Sequence, residues 1–160
     1  MNEAKRAQFH LPGLFEFYDF YRVFLPLYRT HREYFYDWCE IASIYGAPEG
    51  CLWGGGRVGC GNQDPHAVLA LTQEYGLSAR LTFSNSLLTK AHLADSVCNA
   101  LCRLFSEADG PQNGVIVHSD LLLDYLRQLR IKLTVTAFFL QADTQHFLRT
   151  ELSDTDGQFV

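Results

Sequence analysis

Residues 113–124, with the sequence NGVIVHSDLLLD, constrain the fold of this chain more than any other stretch. The β-branched run at 115–117 is typical of a strand with both faces covered, as in a parallel sheet. At Ser119 the pattern changes to helical spacing, because Ser119 is a favoured N-cap and Asp120 suits the positive end of a helix dipole. The stretch therefore predicts a strand that runs directly into a helix.

Two further strand-and-helix units precede this one. Strands are predicted at residues 36–45 and 77–84, and a helix at 64–76 is bounded by an Asp-Pro start and a final glycine. A second helix is predicted from about 92 to 106. This alternation favours a parallel sheet with right-handed crossovers. We therefore predict the α/β class with parallel βα units, as a partial TIM-like barrel, because 160 residues fall short of the roughly 250 of a complete barrel.

The two ends of the chain carry weaker signals. Residues 1–11 predict a flexible N-terminal tail, and the barrel domain is predicted to cover residues 12–140, with a further strand at 131–140. Residues 141–160 are polar, lack helix signals and predict an irregular C-terminal tail. Since the βα pattern stops after residue 129, one interpretation is a truncated or frameshifted product without independent activity.

An aromatic helix is predicted for residues 13–35, with Pro12 in its first turn. Pro26 is expected to kink or divide this helix. Its apolar arc is broad, so the helix needs cover on two sides. The simplest interpretation is a core helix. The alternative is a non-catalytic assembly module, in which the helix docks a second copy of the chain or a missing C-terminal half.

Charge and hydropathy exclude several classes of partner. The net charge of -5 gives no electrostatic reason to expect nucleic acid. No apolar run approaches the roughly 18 residues of a membrane span, and the polar N-terminus lacks the apolar core of a signal peptide. The sequence therefore predicts a cytoplasmic protein without nucleic-acid or membrane partners.

The five cysteines match no metal-binding pattern. They form no C-x-x-C pair, the histidines form no H-E-x-x-H motif, and no serine lies in a G-x-S-x-G elbow. In a chain without an export signal reduced thiols are the default. We therefore predict buried, apolar cysteines, no metal site and no cofactor.

A glycine-rich segment, GGGR at residues 54–57, follows a short apolar run. The bare amides of Gly55 and Gly56 and the guanidinium of Arg57 suit a phosphate or a carboxylate. The segment is neither a P-loop nor the strand-to-helix step of a dinucleotide fold. We therefore take these three residues as candidate substrate-binding residues, with a tight turn or close backbone packing as the alternative.

Polar residues occur along or after the predicted strands, and the carboxyl ends of parallel strands meet at one edge. One hypothesis is that the chain is part of an enzyme. In it Arg57, Asn85 and Ser119 bind substrate, while His118 and Asp120 are the catalytic candidates that move a proton. The alternative is structural, because Ser119 and Asp120 also start a helix and Asn85 suits a loop. The sequence thus predicts a small-molecule or anionic ligand and leaves the reaction open. The residues expected to gather at this edge are Glu40, Tyr45, Arg57, Asn85, His118, Ser119 and Asp120.

Several of these segments carry a resemblance to a known family. They are CLWGGGR at 51–57, the helix at 64–76, ARLTFSN at 79–85, Asp95 with Cys98-Asn99, and NGVIVHSDLLLDYLR at 113–127. Over residues 10 to 129 the chain resembles the amino-terminal half of a bacterial group similar to the barrel of the collagenase-like peptidase family. The resemblance implies a (β/α) barrel, and that wider family includes proteins linked to protein degradation and RNA hydroxylation. Past Arg127 the expected continuation and its cysteine cluster are not recognisable, so the resemblance implies the fold without a particular activity.

Overall fold

The structure, a computed structural model, describes residues 6–55, 61–129, 131–141 and 144–150. Its strands are β1 (Ala7–Pro12), β2 (Cys39–Gly46), β3 (Ser78–Phe83), β4 (Gly114–Val117), β5 (Thr134–Gln141) and β6 (Thr144–Thr150). Its α-helices are α1 (Tyr18–Thr30), α2 (Pro65–Glu74), α3 (Ser96–Glu107) and α4 (Asp120–Gln128). Two short 3-10 helices, Arg32–Tyr34 and Lys90–Ala94, precede β2 and α3.

The strands form one sheet in the order β1-β2-β3-β4-β5-β6. Strands β1 to β5 are parallel, and β6 is antiparallel to β5. A helix follows each of the first four strands, so the predicted α/β class with parallel βα units is confirmed. Each strand lies beside the one before it in sequence, which is also the order of strands around a (β/α) barrel.

One face of the sheet carries the core. Its side chains share one cluster with apolar residues of all four α-helices, including Leu25, Leu69, Phe105 and Leu126. On the opposite face Ile116 stays partly exposed, so the expected cover on both faces of β4 is met on one face only. The core residues of the sheet, each at most 2% exposed, are Ile44, Ala79, Leu81, Phe83, Val115, Val117, Val135 and Ala137.

Strand β1 corrects the prediction of a flexible tail at residues 1–11. Ala7–Pro12 pair in parallel with β2, and Pro12, predicted to begin a helix, instead ends this strand. The side chain of His10 hydrogen-bonds Ser43 Oγ at 2.6 Å, which ties the edge strand to its neighbour. The local signal was weak because most side chains of this edge strand are exposed. Residues 1–5 lie outside the described part.

The aromatic helix is shorter than predicted. Residues 13–17 precede it, because the Leu14 amide donates to Tyr45 O at 3.0 Å and so extends the β1–β2 contact. Helix α1 continues through Pro26, so the predicted division there is wrong. Proline removes one hydrogen bond, to the carbonyl of Arg22 four residues earlier, and that residue is exposed to solvent. Tyr21 and Leu25 of α1 are buried in the core cluster, which confirms its role as a core helix.

Two predicted helices begin where their caps indicate. Asp64 accepts a hydrogen bond from the His66 amide at 3.1 Å to start α2, and Ser119 accepts one from the Leu122 amide at 3.4 Å to start α4. Helix α3, which lies between these two in the sequence, begins four residues later than predicted, because Asp95 is its N-cap.

The C-terminal region is more regular than predicted. The predicted strand at 131–140 is confirmed as β5, and the tail predicted at 141–160 contains β6. Residues 151–160 lie outside the described part. No helix among the described residues has the length and apolar character needed to cross a membrane.

Candidate functional site

The ends of β3 and β4 bring two polar segments to one edge of the sheet. Phe83 at the end of β3 pairs with Val117 at the end of β4. The His118 amide then donates to Phe83 O at 3.1 Å. Asn85 and His118 therefore leave the sheet from neighbouring strands, as the sequence predicts for the carboxyl edge.

The loop that follows β2 is attached to the end of β3. Ser84 Oγ donates to Gly54 O at 3.2 Å, and Asn85 Nδ2 donates to Leu52 O at 3.0 Å. The backbone N–H of Asn85 donates to Trp53 O at 3.1 Å. These three bonds hold the first part of the glycine segment at the same edge as His118.

Close packing explains one glycine of the segment, and backbone conformation explains another. A Cβ at Gly54 would lie 2.7 Å from Ala47 Cβ, which is too close for any side chain. Gly55 has φ +86°, in the left-handed region that favours glycine. The structural interpretation is therefore correct for Gly54. Gly55 is exposed at the edge, while Gly56 and Arg57 lie outside the described residues.

Trp53 anchors this loop in the core. Its side chain is 0% exposed, and its ring meets Phe83 at 5.3 Å and Tyr125 at 5.9 Å between centroids, edge to face in both cases. Its Nε1 donates to His92 O at 2.8 Å. One side chain thus connects the loop, β3, α4 and the 3-10 turn before α3.

Of the other predicted site residues at this edge, some already have structural hydrogen-bond partners. Asn85 uses its Oδ1 to accept from the Leu87 amide at 2.9 Å and its Nδ2 as described above. Ser119 is buried and caps α4. Both residues therefore have the structural roles that the alternative interpretation gives them. His118 is half-buried and Asp120 is exposed, and their catalytic role stays a prediction.

Of the two other residues expected at this edge, one lies at the opposite end of its strand. Glu40 is the second residue of β2, so it lies at the amino end and forms a salt bridge of 3.7 Å with Arg6. Tyr45 is the seventh of eight residues in β2 and pairs with Arg80. Only Tyr45 is therefore near the predicted edge.

Arg80 is a candidate functional residue that belongs to no sequence motif. It lies on the half-open face of the sheet, and its guanidinium reaches across β4 to Thr136 Oγ1 at 3.5 Å. Gly114 on β4 lies beneath Arg80, and a Cβ there would be in ordinary contact with Arg80 Cγ at 3.6 Å but only 2.7 Å from Thr134 O, so glycine is needed for the close approach of β4 to β5. The alternation of Arg80 and Thr82 with apolar residues in β3 is the sequence signal for such a face.

Three of the five cysteines lie in the core behind the edge, as predicted, while Cys39 is half-buried and Cys60 lies outside the described residues. Cys51 at the start of the loop is 1% exposed, and Cys98 and Cys102 on α3 are 0% exposed. The Sγ atoms of Cys51 and Cys98 are 3.4 Å apart. Among the described residues no three His, Cys, Asp or Glu side chains come together as a metal site.

A cleft of about 540 Å³ lies at the opposite, amino-terminal edge of the sheet. Arg32 on its wall stacks on the Tyr28 ring at 4.6 Å and donates to Cys39 O at 2.9 Å. These contacts hold Arg32 against the start of β2, and neither predicted catalytic residue lines this cleft.

Comparison of the chain with protein-family models, with curated proteins and with solved structures finds no match.

Proposed function

We propose that this protein binds a small anionic ligand at the carboxyl edge of its parallel sheet, in a partial (β/α) barrel similar to those of collagenase-like peptidases. The observation that supports the proposal is the junction of the loop after β2 with the ends of β3 and β4. Ser84 and Asn85 hold that loop by hydrogen bonds, and His118 leaves the neighbouring strand. Ligands of α/β proteins bind where such loops meet.

The residues of this edge suit an anion in two ways. Gly55 presents an exposed backbone without a side chain, and Arg57 follows two residues later in the sequence. Backbone amides and a guanidinium together bind phosphate and carboxylate groups. In the enzymatic form of the proposal, His118 or Asp120 moves a proton to or from the bound ligand.

Inorganic phosphate and citrate, tested separately at constant ionic strength, are expected to raise the melting temperature of the wild-type protein. A ligand present at about 100 times its Kd adds about 2.7 kcal/mol to the free energy of unfolding. Arg57→Ala is expected to remove most of the shift, because it removes the cation of the site. Differential scanning fluorimetry over a concentration series measures this.

Arg103→Ala is the matched control, since Arg103 is an exposed arginine on α3. Its variant should keep the full wild-type shift. Equal shifts in the Arg57 and Arg103 variants would contradict a role for Arg57, and no shift with either anion in the wild type would reject an anion site for these chemical classes.

An exposed apolar stripe supports a second candidate function, assembly of two copies through α1. Phe20, Val23 and Leu27 follow one another at intervals of three and four residues, and each is more than half exposed. Phe17, just before α1, extends the stripe and is also more than half exposed. Stripes of this kind mark interaction surfaces. Helix α1 therefore packs one face into the core and exposes this apolar stripe on another.

The double variant Phe20→Ser, Leu27→Ser is expected to convert a dimer into a monomer. Sedimentation equilibrium at micromolar concentration measures the mass directly. Leu87→Ser is the control, because Leu87 is highly exposed in the segment after β3, outside the stripe. A monomeric wild-type protein under the same conditions would refute self-assembly.

A further inference from the structure

Cys51 and Cys98 are 47 positions apart in the sequence, yet their sulfur atoms are 3.4 Å apart in the core. The backbone fixes both residues. The Cys51 amide donates to Pro48 O at 3.3 Å and its carbonyl accepts from the Gly54 amide at 3.0 Å. The Cys98 amide donates to Asp95 Oδ1 at 2.8 Å in the first turn of α3. Backbone hydrogen bonds on both sides thus hold the two thiols in contact.

We propose that Cys51 and Cys98 are a reversible dithiol–disulfide pair, oxidised by a hydroperoxide. This site is independent of the proposed ligand site, although both involve the loop after β2.

The reaction proceeds in two steps. The thiolate of Cys51 attacks the hydroperoxide, so that an S–O bond forms, the O–O bond breaks, and the leaving oxygen takes up a proton to depart as water or an alcohol. The thiol of Cys98 then attacks the sulfenic sulfur of Cys51, an S–S bond forms, and the hydroxyl leaves with the proton of Cys98 as water. Two thiols are oxidised and one hydroperoxide is reduced.

The hydrogen bonds and burial of the two cysteines determine which of them attacks the hydroperoxide. The hydrogen bond from Cys98, together with the backbone amides of Gly54 and Trp53, lowers the pKa of Cys51 although burial acts in the opposite direction. The same thiol contact, together with burial, raises the pKa of Cys98. Cys51 is therefore the nucleophile, since thiolates and not thiols attack peroxides. Burial raises the pKa of Cys102, one turn further along α3, to about 12, so it stays a thiol.

A disulfide here would join the loop after β2 covalently to the start of α3. Cys51 begins the loop that carries Trp53 and Gly55, and Cys98 lies in the first turn of α3. A cross-link between them restricts the unfolded chain and raises the melting temperature. Oxidation therefore fixes the loop at the carboxyl edge, whatever that edge binds.

Peptide mapping of the full-length protein tests the proposal. The folded protein is treated with hydrogen peroxide, denatured, alkylated and digested with trypsin. Cleavage after Lys and Arg leaves Cys51 with Cys39 in peptide 33–57, and Cys98 with Cys102 in peptide 91–103. The expected product is a cross-link of these two peptides, lighter than their sum by two hydrogen atoms and lost on treatment with dithiothreitol.

Variants assign the cross-link to one pair of sulfurs. The double variant Cys39→Ser, Cys102→Ser removes the other cysteine of each peptide and should keep the cross-link. Cys98→Ser should abolish it and leave a sulfenic acid on Cys51 that dimedone traps, and circular dichroism shows whether each variant folds. Recovery of both Cys51 and Cys98 as alkylated thiols from oxidised wild-type protein would overturn the proposal without any variant. So would an undiminished cross-link in the Cys98 variant.

Discussion

Replacing Trp53 by alanine is expected to lower the free energy of unfolding by about 3–5 kcal/mol, the usual cost of removing a buried aromatic side chain. The indole is fully buried against Phe83 and Tyr125. Its loss leaves a cavity beneath the loop and removes the hydrogen-bond donor to His92 O. Urea unfolding followed by circular dichroism gives the value.

Trp38→Ala is the matched control for this substitution. Trp38 is 46% exposed and stacks on Tyr36 at the surface, so its loss should cost about 1 kcal/mol or less. Trp53→Phe separates the two contributions of the indole, because it keeps most of the apolar contact and removes the donor. Equal unfolding free energies for the Trp38 and Trp53 alanine variants would show that the loop after β2 is not anchored in the core.

Asn113→Ala is expected to lower the free energy of unfolding by about 2–4 kcal/mol. The side chain is buried, its Oδ1 accepts from the Ala79 amide at 2.8 Å, and its Nδ2 donates to Phe105 O at 3.0 Å. Alanine leaves both backbone groups without their partner, and each such group costs about 1–3 kcal/mol. Urea unfolding measures the loss.

Asn62→Ala provides the comparison, because Asn62 is an exposed asparagine in the segment before α2. Its replacement should change the free energy by no more than about 0.5 kcal/mol. The Asn113 side chain connects β3 to α3 just before β4 begins, so its replacement should also weaken hydrogen-exchange protection of Ala79. Unchanged protection there would contradict the bond.

Local signals predict the central elements of the fold well. Helix α2 follows from an N-cap, a first-turn proline and a final glycine, and β4 with α4 follows from a change of period at Ser119. The strands β1 and β6 have no such signals. They lie at the two edges of the described sheet, and pairing with one neighbour decides their conformation. The start of α1 depends likewise on a distant contact, between Leu14 and Tyr45.

The candidate site is likewise predictable only where local signals decide the structure. The order of strands and helices predicts that Asn85 and His118 leave the sheet at one edge, because parallel strands share an edge. It cannot predict that the Asn85 side chain is already bonded to Leu52 and Leu87, or that Cys51 meets Cys98. Those contacts join distant parts of the chain, and no pattern of neighbouring residues encodes them.

The strand order has a consequence for synthesis of the chain. Among the six described strands, each of β2 to β6 pairs with the one immediately before it, and none inserts between two earlier ones. A nascent chain that emerges from its N-terminus can therefore add each completed βα unit to an existing sheet edge, without reopening hydrogen bonds that have formed. Growth of this kind leaves a single advancing edge with unpaired backbone groups, which the next strand of the same chain then covers.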